Sequence, residues 1–323
     1  MDAITHPLLD VRDLKVSIFT RWGEVKAANG VSFTLARGRT LGVVGESGSG
    51  KSITCLSLLQ LLPAGGRIVG GEVLFDGQNL AAKSQREMRQ IRGKRIAMIL
   101  QDPMTSLNPV YTIGNQVDEP VRLHQPLVGE AIRAKAIQAL RLLRIPVPEV
   151  RVRDFPHQMS GGMRQRVVGA IAMSCEPDLL IADEPTTSLD TTVQAQYLDL
   201  LREVQEERGV SMIFVTHDLG IVAKMCHRVA VMYAGRVVEF VSVEGLFDDP
   251  RHPYTKALLA SVPRHDRRER RLAAIDGQPP VLHEKLPACP FAPRCAMADS
   301  RCFNEEPPEV SAGGDHMARC WKV

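Results

Sequence analysis

Eight consecutive residues, Gly45-Glu-Ser-Gly-Ser-Gly-Lys51-Ser52, have the types and spacing needed to hold a polyphosphate. They fit the pattern G-x-x-x-x-G-K-[ST]. Gly45, Gly48 and Gly50 let backbone N–H groups turn inward around phosphate oxygens, with Ser47 and Ser49 between them and Ile53 following. Lys51 reaches β- and γ-phosphates, and the Ser52 hydroxyl suits Mg²⁺ at a helix N-terminus, where the dipole favours anions. The bland alternative is a structural glycine turn. A second pair, Asp183-Glu184, places a carboxylate suited to Mg²⁺ beside one able to polarise a water as general base. Alone, such a pair after an apolar run reads as a solvated strand end. The third candidate is Thr216-His217-Asp218, whose lone histidine would ordinarily be a satisfied structural group.

These groups need a scaffold, and the flanking patterns supply one. TLGVV (40–44) runs into the glycine-rich octapeptide, and ITCLSLLQLL (53–62) follows as a helix that Pro63 stops. RIAMIL (95–100), DLLIA (178–182) and SMIFVT (211–216) read as further buried strands. RVAVMY and GRVVEFV form two strands around an Ala234-Gly235 hairpin turn. Strands alternating with helices predict a mostly parallel α/β sheet. Gly45, Asp183 and His217 then converge on the carboxyl edge of that sheet, where ligands of open α/β sheets lie. From about residue 102 to 170 the texture is helical, with Ile132, Ala136, Leu140 and Leu143 at helical spacing. Thr191 to Arg208 is a second long helix, with Val193, Tyr197, Leu200 and Val204 on one face and Gly209 as its stop. After about 244 proline density rises and periodicity fades, which marks a domain boundary: 1–243, then 244–323.

Composition excludes several classes. The 323 residues hold 40 Lys+Arg against 37 Asp+Glu, a net charge of +3. The octet Arg264 to Arg271 carries that whole excess, so the rest is neutral and not built to grip nucleic acid. Aromatics at 5% are too sparse for base-stacking platforms. No apolar run approaches the roughly 18 residues of a membrane span. Asp10, Arg12, Asp13 and Lys15 interrupt any apolar core of a signal peptide. A cytosolic chain is expected, whose seven cysteines are thiols or ligands. Cys55, Cys175 and Cys226 sit in apolar helical contexts as small core residues. Four others form Cys289-x5-Cys295-x6-Cys302-x17-Cys320, a set able to hold a [4Fe–4S] cluster or tetrahedral zinc, although the spacing is not C-x2-C.

Gln158-Met159-Ser160-Gly161-Gly162-Met163-Arg164-Gln165-Arg166 closely resembles the ATP-binding-cassette signature, usually LSGGQ. It lies between the octapeptide and the Asp183 strand, which is the order of the ABC ATPase family. Gln101 in ILQDP resembles the Q-loop glutamine, Ser188-Leu189-Asp190 the D-loop, and Trp22 the aromatic that stacks on adenine, with Phe19 as the alternative. The resemblance covers about residues 8–243. It implies an α/β P-loop NTPase cassette: a RecA-like core with mostly parallel sheet, an antiparallel β subdomain and a helical insertion. It also implies that cassettes pair head to tail. Lys51, Ser52, Asp183, Glu184 and His217 would serve this chain's ATP, with Gln101 and Asp183 also near Mg²⁺. Ser160, Gly161, Gly162 and Met163 would cap the partner's ATP. Met159 and Met163 depart from the commonest signature; the serine and both glycines are kept, so a working cap and a hydrolytic site are expected.

The tail narrows the family. Arg251-His252-Pro253-Tyr254-Thr255, KALLASVP and Gly277-Gln278-Pro279-Pro280 resemble the C-terminal extension of oligopeptide/dipeptide importer ATPases, a subfamily that includes nickel and glutathione importers. That resemblance implies two membrane permeases, an extracytoplasmic substrate-binding protein, a second and usually non-identical ATPase, and a peripheral position on the cytoplasmic membrane face. It implies an iron–sulfur cluster in some members (CPFAPRC…C…ARC), with zinc or free thiols as the alternatives. The rivals fit less well. Cassette ATPases of DNA repair or translation carry tandem cassettes or long insertions, and a small-molecule kinase has no use for an SGG signature.

Overall fold

The computed structural model describes residues 6–100, 106–262, 274–283 and 286–323. Gln101 and the basic octet from Arg264 lie outside the described residues. The chain divides into two compact units. One takes in the segments up to Ala36, Thr40–Ala82 and Val215 onward; the other takes in Arg37–Arg39 and Lys83–Phe214.

The first unit holds two sheets. β1 (Leu9–Thr20) and β2 (Gly23–Leu35) form a long antiparallel hairpin, joined by β4 (Gly66–Phe75) and β5 (Gln78–Asn79) in the order β2-β1-β4-β5. The other sheet is centred on β3 (Thr40–Val44), five buried residues that lead into the octapeptide. β9 (Arg228–Tyr233) pairs parallel with β3, placing Val43 opposite Ala230 and Val44 opposite Val231. β10 (Arg236–Ser242) returns antiparallel to β9 through Ala234 (φ 49) and Gly235 (φ 76), both left-handed as a two-residue hairpin requires. The chain after 244 comes back to this sheet: β12 (Met317–Arg319) pairs antiparallel with β10, and β11 (Glu309–Ser311) with β12. Burying Val44, Val229, Val231, Tyr233 and Val241 against Leu246, Tyr254 and Phe291 joins sheet and tail in one apolar cluster.

In the second unit, β6 (Ile96–Ile99), β7 (Leu179–Asp183) and β8 (Ser211–Val215) lie in the order β8-β7-β6, with β6 and β7 parallel. β7 and β8 are buried at every residue, and apart from Asp183 and Ser211 at their ends they are apolar, as expected of strands covered on both faces. The helical region resolves into helices Ile113–His124, Glu130–Leu142, Pro148–Arg151 and Gly161–Met173. Ile132, Ala136, Leu140 and Leu143 are all buried, as their spacing predicts.

One local expectation differs from the structure. The helix after the octapeptide spans Lys51–Leu58, so Pro63 does not end it. Gln60 does, by entering the left-handed region at φ 50 while Leu61 N–H returns to the Leu56 carbonyl. The helix Ile113–His124, inside the region expected to be helical, carries Pro120 in its interior. Ile113, Val117 and Val121 are fully buried on it, and that burial outweighs the ~3 kcal/mol a mid-helix proline costs.

Candidate nucleotide site

The phosphate-loop candidate lies wholly in the first unit. Gly45 (φ 150), Gly48 (φ 77) and Gly50 (φ 97) all take positive φ. A Cβ at Gly50 would meet the Ala27 carbonyl oxygen at 2.2 Å, and one at Gly45 the Met232 carbonyl oxygen at 2.2 Å, so β2 and β9 press on the loop from both sides. At Gly48 nothing lies within 4 Å, which leaves that edge open to an incoming group. The hairpin turn fastens the loop again: Gly235 N–H donates to the Ser49 carbonyl (2.9 Å). Lys51 is 7% exposed, and its ammonium donates to the carbonyls of Gly45 (2.8 Å) and Glu46 (2.9 Å). The buried Ser49 Oγ has no hydrogen-bond partner. Gly50 caps the helix, whose first turn has no acidic residue to offset the dipole, and Ser52 is exposed on it. Backbone donors, an ammonium, an unsatisfied hydroxyl and an open helix end fit a polyphosphate, and Ser52 offers Mg²⁺ the hard oxygen it requires.

Three other candidates belong to this unit or its edge. His217 is exposed two residues past the end of β8. Thr216 Oγ1 accepts from Asp218 N–H (3.0 Å), and Asp218 caps the helix Leu219–Met225, so the histidine sits on a fixed turn. Trp22, in the β1–β2 turn, is 76% exposed, with the Arg21 guanidinium 4.7 Å from its ring centre; Phe19 is 49% exposed. Neither aromatic is a core residue, and Trp22 is the more available as a stacking face.

In the second unit Asp183 ends β7 and is buried. Glu184 follows at φ 46, a left-handed conformation costing a glutamate about 1 kcal/mol or more. Its Oε2 accepts from the Thr187 hydroxyl (3.1 Å), so the strained residue is also oriented. Ser160 caps the helix Gly161–Met173, its Oγ accepting from Met163 N–H (3.3 Å). A Cβ added at Gly161 would have nothing within 4 Å, whereas one at Gly162 would meet Val193 Cγ1 at 2.7 Å. Ser188 is exposed, and Asp190 caps the helix Thr191–Arg208 through Val193 N–H (2.9 Å).

The four C-terminal cysteines, 31 positions apart at the extremes in sequence, line one small cavity with Phe291 and Trp321. Burial pushes the Cys289, Cys295 and Cys320 thiols up, while backbone N–H groups of Phe291, Ala292, Met297 and Lys322 point at their sulfurs. Sulfur donors satisfied by amides suit a soft metal or cluster. Among the described residues, however, no three His, Cys, Asp or Glu side chains stand close enough together to hold a metal ion. His316 is not part of this set: its Nε2 lies 2.7 Å from the buried carboxylate of Glu239. Of the other cysteines, Cys55 and Cys175 are buried and Cys226 is half-buried, packed against Gly42, where burial pushes its thiol up to about 12.

Sequence reasoning passed over Glu46, Tyr254 and Arg294. Glu46 occupies a variable position of the octapeptide, and the other two lie more than 200 residues away. Their only signal was membership of the RHPYT and CPFAPRC stretches.

The ABC transporter family matches residues 28–187, and the oligopeptide/dipeptide transporter C-terminal region matches residues 238–302. A probable peptide ABC transporter ATP-binding protein of Sinorhizobium fredii is 51% identical over 98% of this chain and 95% of its own. The oligopeptide transport ATP-binding protein OppD of Bacillus subtilis is 49% identical over 97% of this chain and 88% of its own. Among solved structures, a dimeric post-hydrolysis state of the ATP-binding cassette MJ0796 with ADP and phosphate is 25% identical. It covers 73% of this chain and 98% of its own, with a TM-score of 0.65. The chain belongs to the ATP-binding proteins of the ABC peptide-transporter family.

Proposed function

We propose that this chain is the ATP-hydrolysing subunit that energises import of di- or oligopeptides. One observation carries the reading: a cassette match at 28–187 and a peptide-transporter C-terminal match at 238–302 occur in order in one chain, alongside a pinned phosphate loop. Lys51 and the loop amides bind the β- and γ-phosphates. Ser52 and Asp183 would supply oxygen ligands to Mg²⁺, which when bound would neutralise developing phosphate charge. Glu184 takes the proton of the attacking water, and His217 orients the γ-phosphate end. Trp22 stacks on adenine, and Gln101 senses the phosphate toward a permease. Ser160, Gly161, Gly162 and Met163 cap the ATP of a second cassette, with Ser188 and Asp190 at that junction.

ATP-binding subunits of this family work with membrane permeases and a substrate-binding protein. Among the described residues no helix is long and apolar enough to cross a membrane. Attachment at the cytoplasmic membrane face through permeases, with a non-identical second ATPase, is the arrangement that suits this chain. The decisive test is Glu184→Gln in the assembled complex. ATPase activity should fall at least about 100-fold with ATP binding retained; an unchanged rate removes Glu184 as base. Uptake of dipeptides, longer peptides, glutathione and nickel in cells lacking the chain identifies the solute.

A second reading concerns the cysteines. Their shared cavity and amide-facing sulfurs favour a [4Fe–4S] cluster or zinc on Cys289, Cys295, Cys302 and Cys320, which would require the thiols to draw together, since no three described His, Cys, Asp or Glu side chains stand close enough to hold a metal ion. Such a group would supply a structural cross-link in the tail. Anaerobic purification followed by absorbance, iron, sulfide and zinc analysis tests it: colour with iron and sulfide assigns the cluster, and colourless protein with stoichiometric zinc assigns zinc. Protein lacking both refutes the reading.

A further inference from the structure

Glu46 stands inside the phosphate loop, between Gly45 and Ser47, and brings a negative charge to a cradle for anions. A carboxylate there opposes phosphate binding unless something holds and neutralises it. The structure shows what does. The Arg294 guanidinium makes a bidentate pair with the Glu46 carboxylate, Nη1 to Oε2 at 2.7 Å and Nη2 to Oε1 at 3.0 Å. The arginine side chain is 5% exposed and the glutamate 24%. Arg294 is itself fixed: it donates to the Tyr233 hydroxyl (3.2 Å) and to the carbonyls of Asp276 (2.9 Å) and Ile275 (3.3 Å). The tail also takes the Glu46 backbone, whose N–H donates to the Tyr254 hydroxyl at 2.9 Å. Tyr254 is fully buried in a ring cluster with Tyr233 and Phe291, with ring centres 4.6 to 5.4 Å apart. The remaining polar group, the Glu46 carbonyl, accepts from Lys51 Nζ (2.9 Å) and from Ser49 N–H (3.2 Å).

Every polar group of Glu46 is thereby engaged. Two partners are phosphate-loop residues, and the other two come from the segment after 244. A guanidinium suits this task better than an ammonium because its fork matches both carboxylate oxygens at once. We infer that Arg294, assisted by Tyr254, is a positioning residue for ATP: it neutralises Glu46 and sets the phosphate loop in its binding conformation from the C-terminal region. Arg294 acts through Glu46 and Lys51, and touches no nucleotide atom itself. Its place beside Cys295, in the turn between the first two clustered cysteines, makes the tail a structural part of the nucleotide cradle.

The inference rests on the reading of Gly45–Ser52 as the ATP cradle, and the test separates the two. Affinity of the purified full-length chain for ATP and ADP is measured by fluorescence titration, with thermal unfolding alongside. Lys51→Ala is the control for the cradle; if it binds like the wild type, the cradle reading falls. Arg294→Met, which strands the Glu46 charge, should weaken ATP binding about tenfold or more. Arg294→Lys, which keeps charge but loses the fork, should fall between. The double variant Glu46→Gln/Arg294→Met, with the stranded charge removed, should recover to within about threefold of wild type. A merely structural arginine gives no such recovery. Should Arg294→Met fail to fold, Tyr254→Phe removes one hydroxyl from an intact ring cluster and should weaken ATP binding severalfold. Wild-type affinity in Arg294→Met or in Tyr254→Phe, or a double variant as weak as the single, overturns the inference.

Discussion

Gly48 and Gly50 both adopt left-handed backbone, yet substitution should separate them. Alanine at Gly48 meets open space and bears only the intrinsic penalty of φ 77, about 1 kcal/mol. Alanine at Gly50 adds a contact at 2.2 Å to the Ala27 carbonyl and one at 3.3 Å to Gly235 Cα. Backbone cannot yield as a side-chain tip can, so the expected loss exceeds about 3 kcal/mol and nucleotide binding falls with it. Urea unfolding of the two variants measures the difference; equal costs would mean that β2 does not hold the loop. The identities of Gly45, Gly50, Lys51 and Ser52 were legible because they are contiguous and their order follows from phosphate chemistry. The left-handed φ of Glu184 was not, since no local pattern forces a glutamate there. Nor was the Glu46–Arg294 pair, whose members stand 248 positions apart.

At the scale of elements, legibility followed the strength of local chemistry. The helix Thr191–Arg208 has the bounds expected of it, with Asp190 capping one end and Gly209 at φ 65 closing the other. Asp190→Ala should cost about 1 kcal/mol through the lost cap alone, read as a lowered urea midpoint. The helix Pro253–Ala260 is less obvious. Its cap is His252, fully buried, whose Nδ1 accepts from Tyr254 N–H (3.0 Å). Burial pushes the imidazole down to about 4. The neighbouring Glu239 carboxylate takes the N–H groups of Arg251 and His252 and faces His316. A histidine depressed below its unfolded value of 6.5 binds fewer protons folded than unfolded across that interval. Its contribution is whole above pH 6.5 and is lost as pH falls toward 4. Stability should therefore drop by about 2 kcal/mol between about pH 7 and pH 5 from this group. His252→Asn keeps a cap acceptor without a titrating ring and should flatten that slope in urea unfolding at the two pH values. An undiminished slope would place the acid sensitivity elsewhere.

For the molecule as a whole, the central question is whether its signature helix works on this chain's nucleotide or on another's. The family order of motifs was readable from the sequence, since each is short and its residue types are dictated by phosphate chemistry. The tail's return to the sheet was not readable, because β11 and β12 are three residues long and carry no periodicity. Gly161 offers a direct test of the signature. It is the first residue of a 13-residue helix, exposed, with nothing within 4 Å of an added Cβ. Aspartate there is compatible with the fold, and a negative charge in the first turn favours the helix by about 0.3–1 kcal/mol. The same charge would face the γ-phosphate of an ATP brought to this helix end and repel it. Gly161→Asp should therefore leave the chain as stable as wild type or slightly more so, while ATPase activity of the complex assembled with permeases and second cassette falls at least about tenfold. ATP affinity of the isolated chain, set by its own phosphate loop, should stay within about twofold. That combination is what a cap working in trans requires. Lost ATP affinity in the isolated chain would show that the signature serves its own nucleotide, and full activity in the complex would show that Gly161 meets no phosphate.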